Sequence, residues 1–225
     1  MKKTLVIALA AVLATGAAQA QYSLSTDMTF ATDYVFRGIK LADNTFHPSI
    51  ELSQDNFYGG IWGALPLENR GSNGYSDEWD IYAGYTPQLS DTLSMDIGFT
   101  HYRYPALDGA DTTEAFVGVN SDLSGFTPGI YGYYDFDLKT LTIQGNVGTS
   151  LPLDAIGTSL DLSGYVGYVK PDKADSYAYY GVGVSLPFKL NETATLTIAG
   201  NWATNDIEGA DDNFFFLTAG LTMGF

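Results

Sequence analysis

Three residues of the types used in hydrolytic catalysis stand two apart in one short segment: His47, Ser49 and Glu51. In a β-strand this spacing puts all three side chains on one face, because strand side chains alternate with a period of two. A serine, an imidazole and a carboxylate that orients the imidazole form a set that activates a nucleophile. The segment therefore permits a hydrolase, provided that this face of the strand meets the substrate.

A second candidate is Arg37, which follows Asp33 by four residues and directly precedes Gly38. Glycine permits a tight turn at that point because it lacks a Cβ. Two roles for Arg37 stay open, a structural clamp onto carboxylates or a contact for an anionic solute. The clamp is favoured, because a charged group that leaves bulk water usually pairs.

The third candidate is an acidic segment with Asp206, Glu208, Asp211 and Asp212. It offers oxygen ligands but lacks the spaced glycine and terminal glutamate of an EF-hand, so a solvated loop is expected. His101 has no partner that the sequence identifies. The sequence also shows no phosphate-binding glycine loop and no His/Cys cluster, and we expect neither a metal nor a cofactor.

The elements that carry these residues are predicted to be strands. Segments of alternating residues recur along the chain and are separated by Gly, Pro, Asn and Asp. That pattern is typical of an antiparallel transmembrane β-barrel. Twelve strands are predicted, at residues 22–34, 45–54, 57–65, 77–86, 92–104, 113–120, 126–136, 140–151, 158–169, 177–186, 192–204 and 213–225. The register is least certain between Phe126 and Thr158.

The last of these segments shows the alternation most clearly. One row holds Phe215, Leu217, Ala219, Leu221, Met223 and Phe225, and the other holds Thr218, Gly220, Thr222 and Gly224. Large apolar residues opposite small and hydroxyl residues fit a lipid-facing strand or a half-buried strand of a soluble sheet. A final strand that ends on an aromatic residue favours the membrane barrel.

Connection lengths give a second test of that fold. An even strand number puts both termini on the periplasmic side, where the turns of such barrels are short. Long external loops are expected at residues 35–44, 66–76, 105–112, 170–176 and 205–212, and short inner turns at 55–56, 87–91 and 187–191. The pattern is reversed around 137–139 and 152–157.

The first twenty residues predict a signal peptide. Lys2 and Lys3 precede an apolar run that ends in an Ala-Gln-Ala cleavage pattern at residues 18–20. Residues 21–225 would then form one barrel domain, with 8 basic residues against 26 acidic ones and a net formal charge of −18. Such acidity argues against nucleic acid as a partner. The chain contains no cysteine and therefore no disulfide.

Four motifs carry a resemblance to a known family. They are TDYVFRGI at 32–39, FYGGIW at 57–62, EWDIYAGY at 78–85 and HYRYP at 101–105. In order and spacing they are similar to the TorF-like family of porins, over the first half of the predicted mature chain. The resemblance implies an outer-membrane β-barrel with a channel role and adds little about the solute.

The predicted faces then assign positions to the candidate residues. The inward face would carry the pore-lining carboxylates Asp27, Glu51, Asp80, Asp96, Asp135 and Asp161, with Asp33, Arg37 and Arg103 at the barrel mouth. His47 and Ser49 would also point inward, whereas a lipid hydrolase needs its nucleophile toward the bilayer. We therefore expect no enzyme.

The resulting expectation is a porin-like channel for small hydrophilic solutes or ions in the cell outer membrane, with a weak preference for cations. A non-conducting structural or adhesive barrel and an outer-membrane lipid hydrolase using His47 and Ser49 are the alternatives. Expected partners are outer-membrane lipid, the solutes, and the outer-membrane assembly machinery through the strand ending in Phe225.

Overall fold

The computed structural model describes residues 22–68, 76–107, 109–210 and 212–225, and the predicted signal peptide lies outside them. The chain forms thirteen strands in these ranges. They are β1 (Tyr22–Phe36), β2 (Ile39–Gln54), β3 (Phe57–Pro66), β4 (Glu78–Tyr85), β5 (Gln88–Ser90), β6 (Leu93–Arg103), β7 (Thr112–Ser121), β8 (Gly129–Asp135), β9 (Thr140–Leu153), β10 (Thr158–Lys170), β11 (Tyr177–Lys189), β12 (Ala194–Asn205) and β13 (Asn213–Gly224). No helix in the described ranges is long and apolar enough to cross a membrane.

The sheet closes on itself. Neighbours in sequence pair antiparallel from β6 to β13 and from β1 to β4, β1 also pairs with β13, and β4 pairs with β6. The three-residue β5 belongs to the connection between β4 and β6 and lines up only with β6. The wall therefore has twelve strands, as predicted. Closure leaves no strand edge, which is what a lipid environment requires of a sheet.

The two faces of the wall are chemically opposite. The outer face exposes large apolar side chains from every part of the wall, among them Ile50, Ile61, Ile81, Ile97, Val117, Ile130, Ile143, Val166, Val182, Ile198 and Leu217. The buried polar residues Thr45, Glu114 and Thr142 point to the interior instead. A soluble barrel would place its apolar residues inside, so this arrangement is that of a membrane barrel.

The connections between strands fall into two sets, one at each end of the barrel. The end with both termini carries connections at 55–56, 86–92, 122–128, 154–157 and 190–193, and the opposite end carries those at 37–38, 67–77, 104–111, 136–139, 171–176 and 206–212. The predicted strand at 126–136 begins three residues later, because Phe126 instead forms isolated bridges to Leu123 and Thr149. The region where the predicted register was least certain therefore contains a longer turn.

The expected external loop at 35–44 is wrong. β1 continues to Phe36 and β2 begins at Ile39, and the two-residue turn between them has φ of 49° at Arg37 and 77° at Gly38. Positive φ at both positions is the requirement of a type I′ hairpin turn. The polar residues that suggested a loop pair within the hairpin, since Lys40 lies 2.8 Å from Asp33 and 2.5 Å from Asp43.

The half of this hairpin that contains the turn, here called its upper half, does not belong to the barrel wall. β1 pairs with β13 only as far as Ala31 opposite Thr218, although β13 continues to Asn213 alongside β12. On the other side, β2 pairs with β3 only from Thr45 opposite Pro66. Residues 32–44, here called the inner hairpin, thus form no strand pairing with either neighbour. They stay joined to the wall at their two ends, where the Leu217 N–H donates to the Thr32 hydroxyl at 3.0 Å and the Leu67 N–H donates to the Asn44 carbonyl at 2.8 Å.

Candidate functional site in the barrel lumen

The inner hairpin turns into the lumen and docks against β12 and β11. The side-chain amide of Asn205 on β12 donates a hydrogen bond of 2.7 Å to the carbonyl oxygen of Gly38. A Cβ at Gly38 would lie 2.7 Å from both the Thr204 carbonyl oxygen and the Tyr179 Cβ. Only glycine permits this contact, because it combines a positive φ with the absence of a side chain.

Arg37, at the tip of the inner hairpin, joins the hairpin to a further strand of the wall, β7. Its guanidinium donates two hydrogen bonds to the carboxylate of Glu114 on β7, at 2.9 and 2.7 Å. Tyr102 donates a further hydrogen bond of 3.1 Å to the same carboxylate. The two charged side chains are only 13% and 3% exposed, so this is a buried, bidentate ion pair.

Aromatic rings enclose the same guanidinium. Its central carbon lies 4.8 Å from the ring centre of Phe36 and 4.9 Å from that of Tyr133. Burial by itself would lower the pKa of Arg37, but the hydrogen bonds and charge of Glu114 raise that pKa on balance. Arg37 therefore stays charged, and the structure favours the clamp over an anion contact for this residue.

Two cavities adjoin the inner hairpin. The larger has a volume of about 630 Å³ and the smaller about 250 Å³. Val35 of the hairpin and Phe216 of β13 line both. The hairpin therefore occupies part of the space that twelve strands would otherwise leave open.

Three of the predicted pore-lining carboxylates face these cavities or their rim. Asp27 lines the smaller cavity and accepts hydrogen bonds from the Thr29 and Thr222 hydroxyls, at 2.6 and 2.7 Å. Asp96 lines the larger cavity, and Glu51 accepts a hydrogen bond of 2.9 Å from Tyr82, which lines it too. Within the described part of the chain, none of these three carboxylates forms an ion pair.

The other three predicted carboxylates differ in their surroundings. Asp161 accepts hydrogen bonds from Ser150 and Ser159, at 2.6 and 2.7 Å. Asp135 accepts backbone N–H bonds from residues 137 and 138 through one oxygen, and so holds the turn between β8 and β9. Asp80 is 8% exposed, and its Oδ1 has no hydrogen-bond partner among the described residues.

His47, Ser49 and Glu51 do not form a relay in the structure. The His47 ring packs between Tyr34 and Trp62, with ring centres 5.1 and 4.9 Å away, and is 7% exposed. Glu51 bonds to Tyr82 rather than to the imidazole. His47 lines the smaller cavity, so its face is lumenal as the alternation predicted.

The three residues predicted at the barrel mouth do not lie together in the structure. Asp33 lines the smaller cavity and pairs with Lys40, not with Arg37. Arg103 is exposed at the end of β6, in the same alternating row as the outward-facing Ile97 and Phe99. Its side chain therefore belongs to the outward face, because a strand residue shares a face only with its second neighbours. His101, in that row, lies 3.1 Å from the Thr113 hydroxyl.

The acidic loop between β12 and β13 is only partly described, since Asp211 lies outside the described residues. Asp206 accepts a hydrogen bond of 2.7 Å from the backbone N–H of Ala178 and so joins two strands. Among the described residues, no group of three or more His, Cys, Asp or Glu side chains is arranged to hold a metal ion.

Sequence reasoning missed Lys40, Glu114 and most of the aromatic lining of the larger cavity. Glu114 and Phe116 alternate with the outward-facing Val117 on β7, and Tyr131 and Tyr133 alternate with Ile130 on β8. The same two-residue period could have identified them. It could not have identified their partner, because Arg37 reaches Glu114 across 77 residues of sequence.

Solved structures with this architecture are outer-membrane channels. The KdgM porin in complex with disordered oligogalacturonate aligns with a TM-score of 0.61 at 11% identity, over 90% of this chain and 99% of that one. The COG4313 outer membrane channel from Pseudomonas putida F1 has a TM-score of 0.57 at 11% identity, over 92% and 95%. The NanC porin has a TM-score of 0.55 at 9% identity, over 90% and 98%. The chain thus has the fold of these porins, and its apolar outer face places it in the outer membrane.

Comparison of sequences adds the family. No curated protein matches significantly. The finer resemblance to TorF-like porins stays a prediction, since none of these comparisons carries that name. Residues 15–208 match the model of Gcw_chp, described as a bacterial protein of unknown function, and the chain therefore belongs to this family.

Proposed function

We propose that the protein is a passive channel for small hydrophilic solutes or ions in the outer membrane, with a weak preference for cations. The observation that carries the proposal is a cavity of about 630 Å³ inside a closed membrane barrel, lined by polar side chains and by an acidic excess. Twelve strands lie between the eight that side chains can fill and the sixteen that leave a wide aqueous channel. The inner hairpin, which occupies part of this interior, restricts passage to small solutes.

The sign of the preference follows from the charges that face the lumen. The larger cavity is lined by Asp96, Glu114 and Arg37, which gives a net formal charge of −1. The smaller one is lined by Asp27 and Asp33, and His47 is the basic side chain among its described lining residues, although Lys40 pairs with Asp33. Acidic side chains around a pore favour cations. Salt screens the field over about 8 Å at physiological ionic strength, so the preference is weak.

Reversal potentials across a KCl gradient in a planar bilayer test this proposal. We expect potassium to be preferred over chloride, and the preference to fall in an Asp27→Asn, Asp96→Asn variant. Asp172→Asn is the matched control, because Asp172 is exposed in the connection between β10 and β11. Anion selectivity of the wild-type protein would contradict the proposal, and so would the absence of any conductance.

Absence of conductance would instead favour a structural or adhesive barrel. We also propose that the barrel has no catalytic role, since the His47 ring is enclosed by aromatic rings and Glu51 bonds elsewhere. Phospholipid hydrolysis by the wild type that disappears in both His47→Ala and Ser49→Ala would overturn this second statement.

The KdgM porin is described in complex with oligogalacturonate, a chain of carboxylate-bearing sugars. The acidic lumen found here disfavours such a polyanion, and the proposed solutes are neutral or cationic. As partners we propose outer-membrane lipid against the apolar face and the outer-membrane assembly machinery at the last strand, β13, which closes the barrel by pairing with β1.

A further inference from the structure

The larger cavity has an unusual lining for a polar pore. Six tyrosines line it, together with three phenylalanines: Tyr82, Tyr102, Tyr131, Tyr133, Tyr165 and Tyr179, with Phe36, Phe116 and Phe216. Several of the tyrosine hydroxyls bond polar side chains that also line the cavity, as in Tyr102 to Glu114 and Tyr179 to Gln144. Selection of inorganic ions alone needs carboxylates but no ring faces.

One organic cation already occupies part of this cavity. The Arg37 guanidinium lies between the rings of Phe36 and Tyr133 and bonds the Glu114 carboxylate through two nitrogens. Aromatic faces and a carboxylate are the groups that recognise ammonium and guanidinium compounds. The contacts of Arg37 therefore show how this lining can bind an organic cation.

A second carboxylate in the same cavity has no cation. Asp96 accepts hydrogen bonds from Tyr58 at 2.9 Å and from Tyr131 at 3.2 Å, and no ion pair is formed by it in the described part of the chain. The Tyr131 ring stacks on that of Tyr133 at 5.8 Å with an angle of 18°. Ring faces thus connect the uncompensated Asp96 to the site that Arg37 fills.

We propose that the larger cavity is a binding site for small organic cations bearing ammonium or guanidinium groups, and that these are the solutes it selects. This inference rests on the proposed channel function for their passage. The cation would bind beside Asp96 against the Tyr131 ring. The site beside Glu114 is already filled by the Arg37 guanidinium, and a solute cation could take that place only if the inner hairpin undocked. Neutral sugars also stack on aromatic rings but do not compensate the charge of Asp96.

Choline and 3,3-dimethyl-1-butanol test the binding step. They have the same shape and differ at one atom, which is a positively charged nitrogen in choline and an uncharged carbon in the alcohol. Saturation-transfer NMR on the detergent-solubilised barrel, at constant ionic strength, measures binding without conductance. We expect choline to bind and 3,3-dimethyl-1-butanol not to bind at the same concentration. Equal binding of both, or of neither, would overturn the site.

Two substitutions on one residue separate the ring from its hydroxyl. Tyr131→Leu removes a ring worth about 1 kcal/mol to a bound cation, so choline affinity should fall about fivefold. Tyr131→Phe keeps the ring and should retain most of that affinity. Tyr168→Leu is the control, because Tyr168 is on the outer face and 49% exposed. A loss in Tyr168→Leu as large as that in Tyr131→Leu would contradict the site.

A variant at Arg37 gives an independent binding test. Arg37→Gly suits the positive φ of 49° and vacates the guanidinium site beside Glu114. Methylguanidinium should then bind this variant at least tenfold more tightly than the wild type, and Glu114→Gln added to the same variant should abolish the gain. Equal binding to all three proteins would overturn the role assigned to Arg37.

Planar-bilayer currents separate this inference from the channel proposal. Choline added to KCl should reduce the potassium current of the wild type and carry a smaller cation current itself. A cation-selective KCl current that choline leaves unchanged would refute the inference and retain the channel. Choline binding in micelles without any KCl current would refute the channel and retain the site.

Discussion

At the scale of single residues, Gly38 decides whether the inner hairpin can dock. Its φ of 77° costs a residue with a side chain about 1–2 kcal/mol, and its Cβ would contact Thr204 and Tyr179. These are two separate penalties. The first is local to the turn, and the second acts only when the hairpin lies against β11 and β12.

Substitution of Gly38 by alanine should therefore undock the hairpin. We expect faster amide hydrogen exchange across residues 32–44 in Gly38→Ala, because their contacts with β11 and β12 are lost. Gly209→Ala is a matched control: Gly209 has φ of 78°, but nothing lies within 4 Å of the added Cβ. If both variants exchange alike, backbone strain rather than close approach explains the effect.

At the scale of elements, the hairpin of β1 and β2 serves two purposes. Its lower half belongs to the wall, where β1 pairs with β13 and β2 with β3. Its upper half crosses the lumen and ends on Glu114 and Asn205. The space left in the lumen thus depends on a clamp between elements and not on strand number alone.

Removing the charge of Glu114 should release this clamp. Glu114→Gln leaves the Arg37 guanidinium buried without its counter-ion, and loss of one partner of a buried pair costs about 3–5 kcal/mol. We expect a larger single-channel conductance with more noise. Asp33→Asn breaks a more exposed pair with Lys40 (side chains 17% and 31% exposed), worth about 1 kcal/mol or less, and should change the conductance little. Identical traces for the two variants would contradict the clamp.

At the scale of the whole molecule, the exposed apolar face requires a lipid surround. Side chains such as Ile130 at 55% and Leu217 at 61% exposure would meet water in a soluble protein. In a bilayer they meet hydrocarbon, and closure of the sheet gives each wall strand a paired neighbour on both sides over at least part of its length.

Fractionation tests the location directly. The protein should be recovered with the outer membrane, and an unboiled sample should migrate differently on a denaturing gel from a boiled one, because the closed barrel resists detergent. Recovery in the soluble periplasm would contradict the membrane location.

The alternation of side chains along the sequence specifies most of the fold. A period of two assigns each residue of a strand to one face, so twelve strands, an apolar outer face and the lumenal positions of Asp27, Glu51 and Asp96 follow from local pattern. The same rule assigns the Arg103 side chain outward, at the end of its strand.

The filling of the lumen depends instead on tertiary contacts. Residues 35–44 are polar enough to suggest a loop, and nothing local distinguishes a hairpin that leaves the barrel from one that folds into it. The direction depends on partners that lie far away in sequence, Glu114 for Arg37 and Asn205 for Gly38, 77 and 167 residues distant. Pattern within a strand cannot specify such contacts, because they exist only after the sheet has closed and brought opposite walls within reach of one side chain.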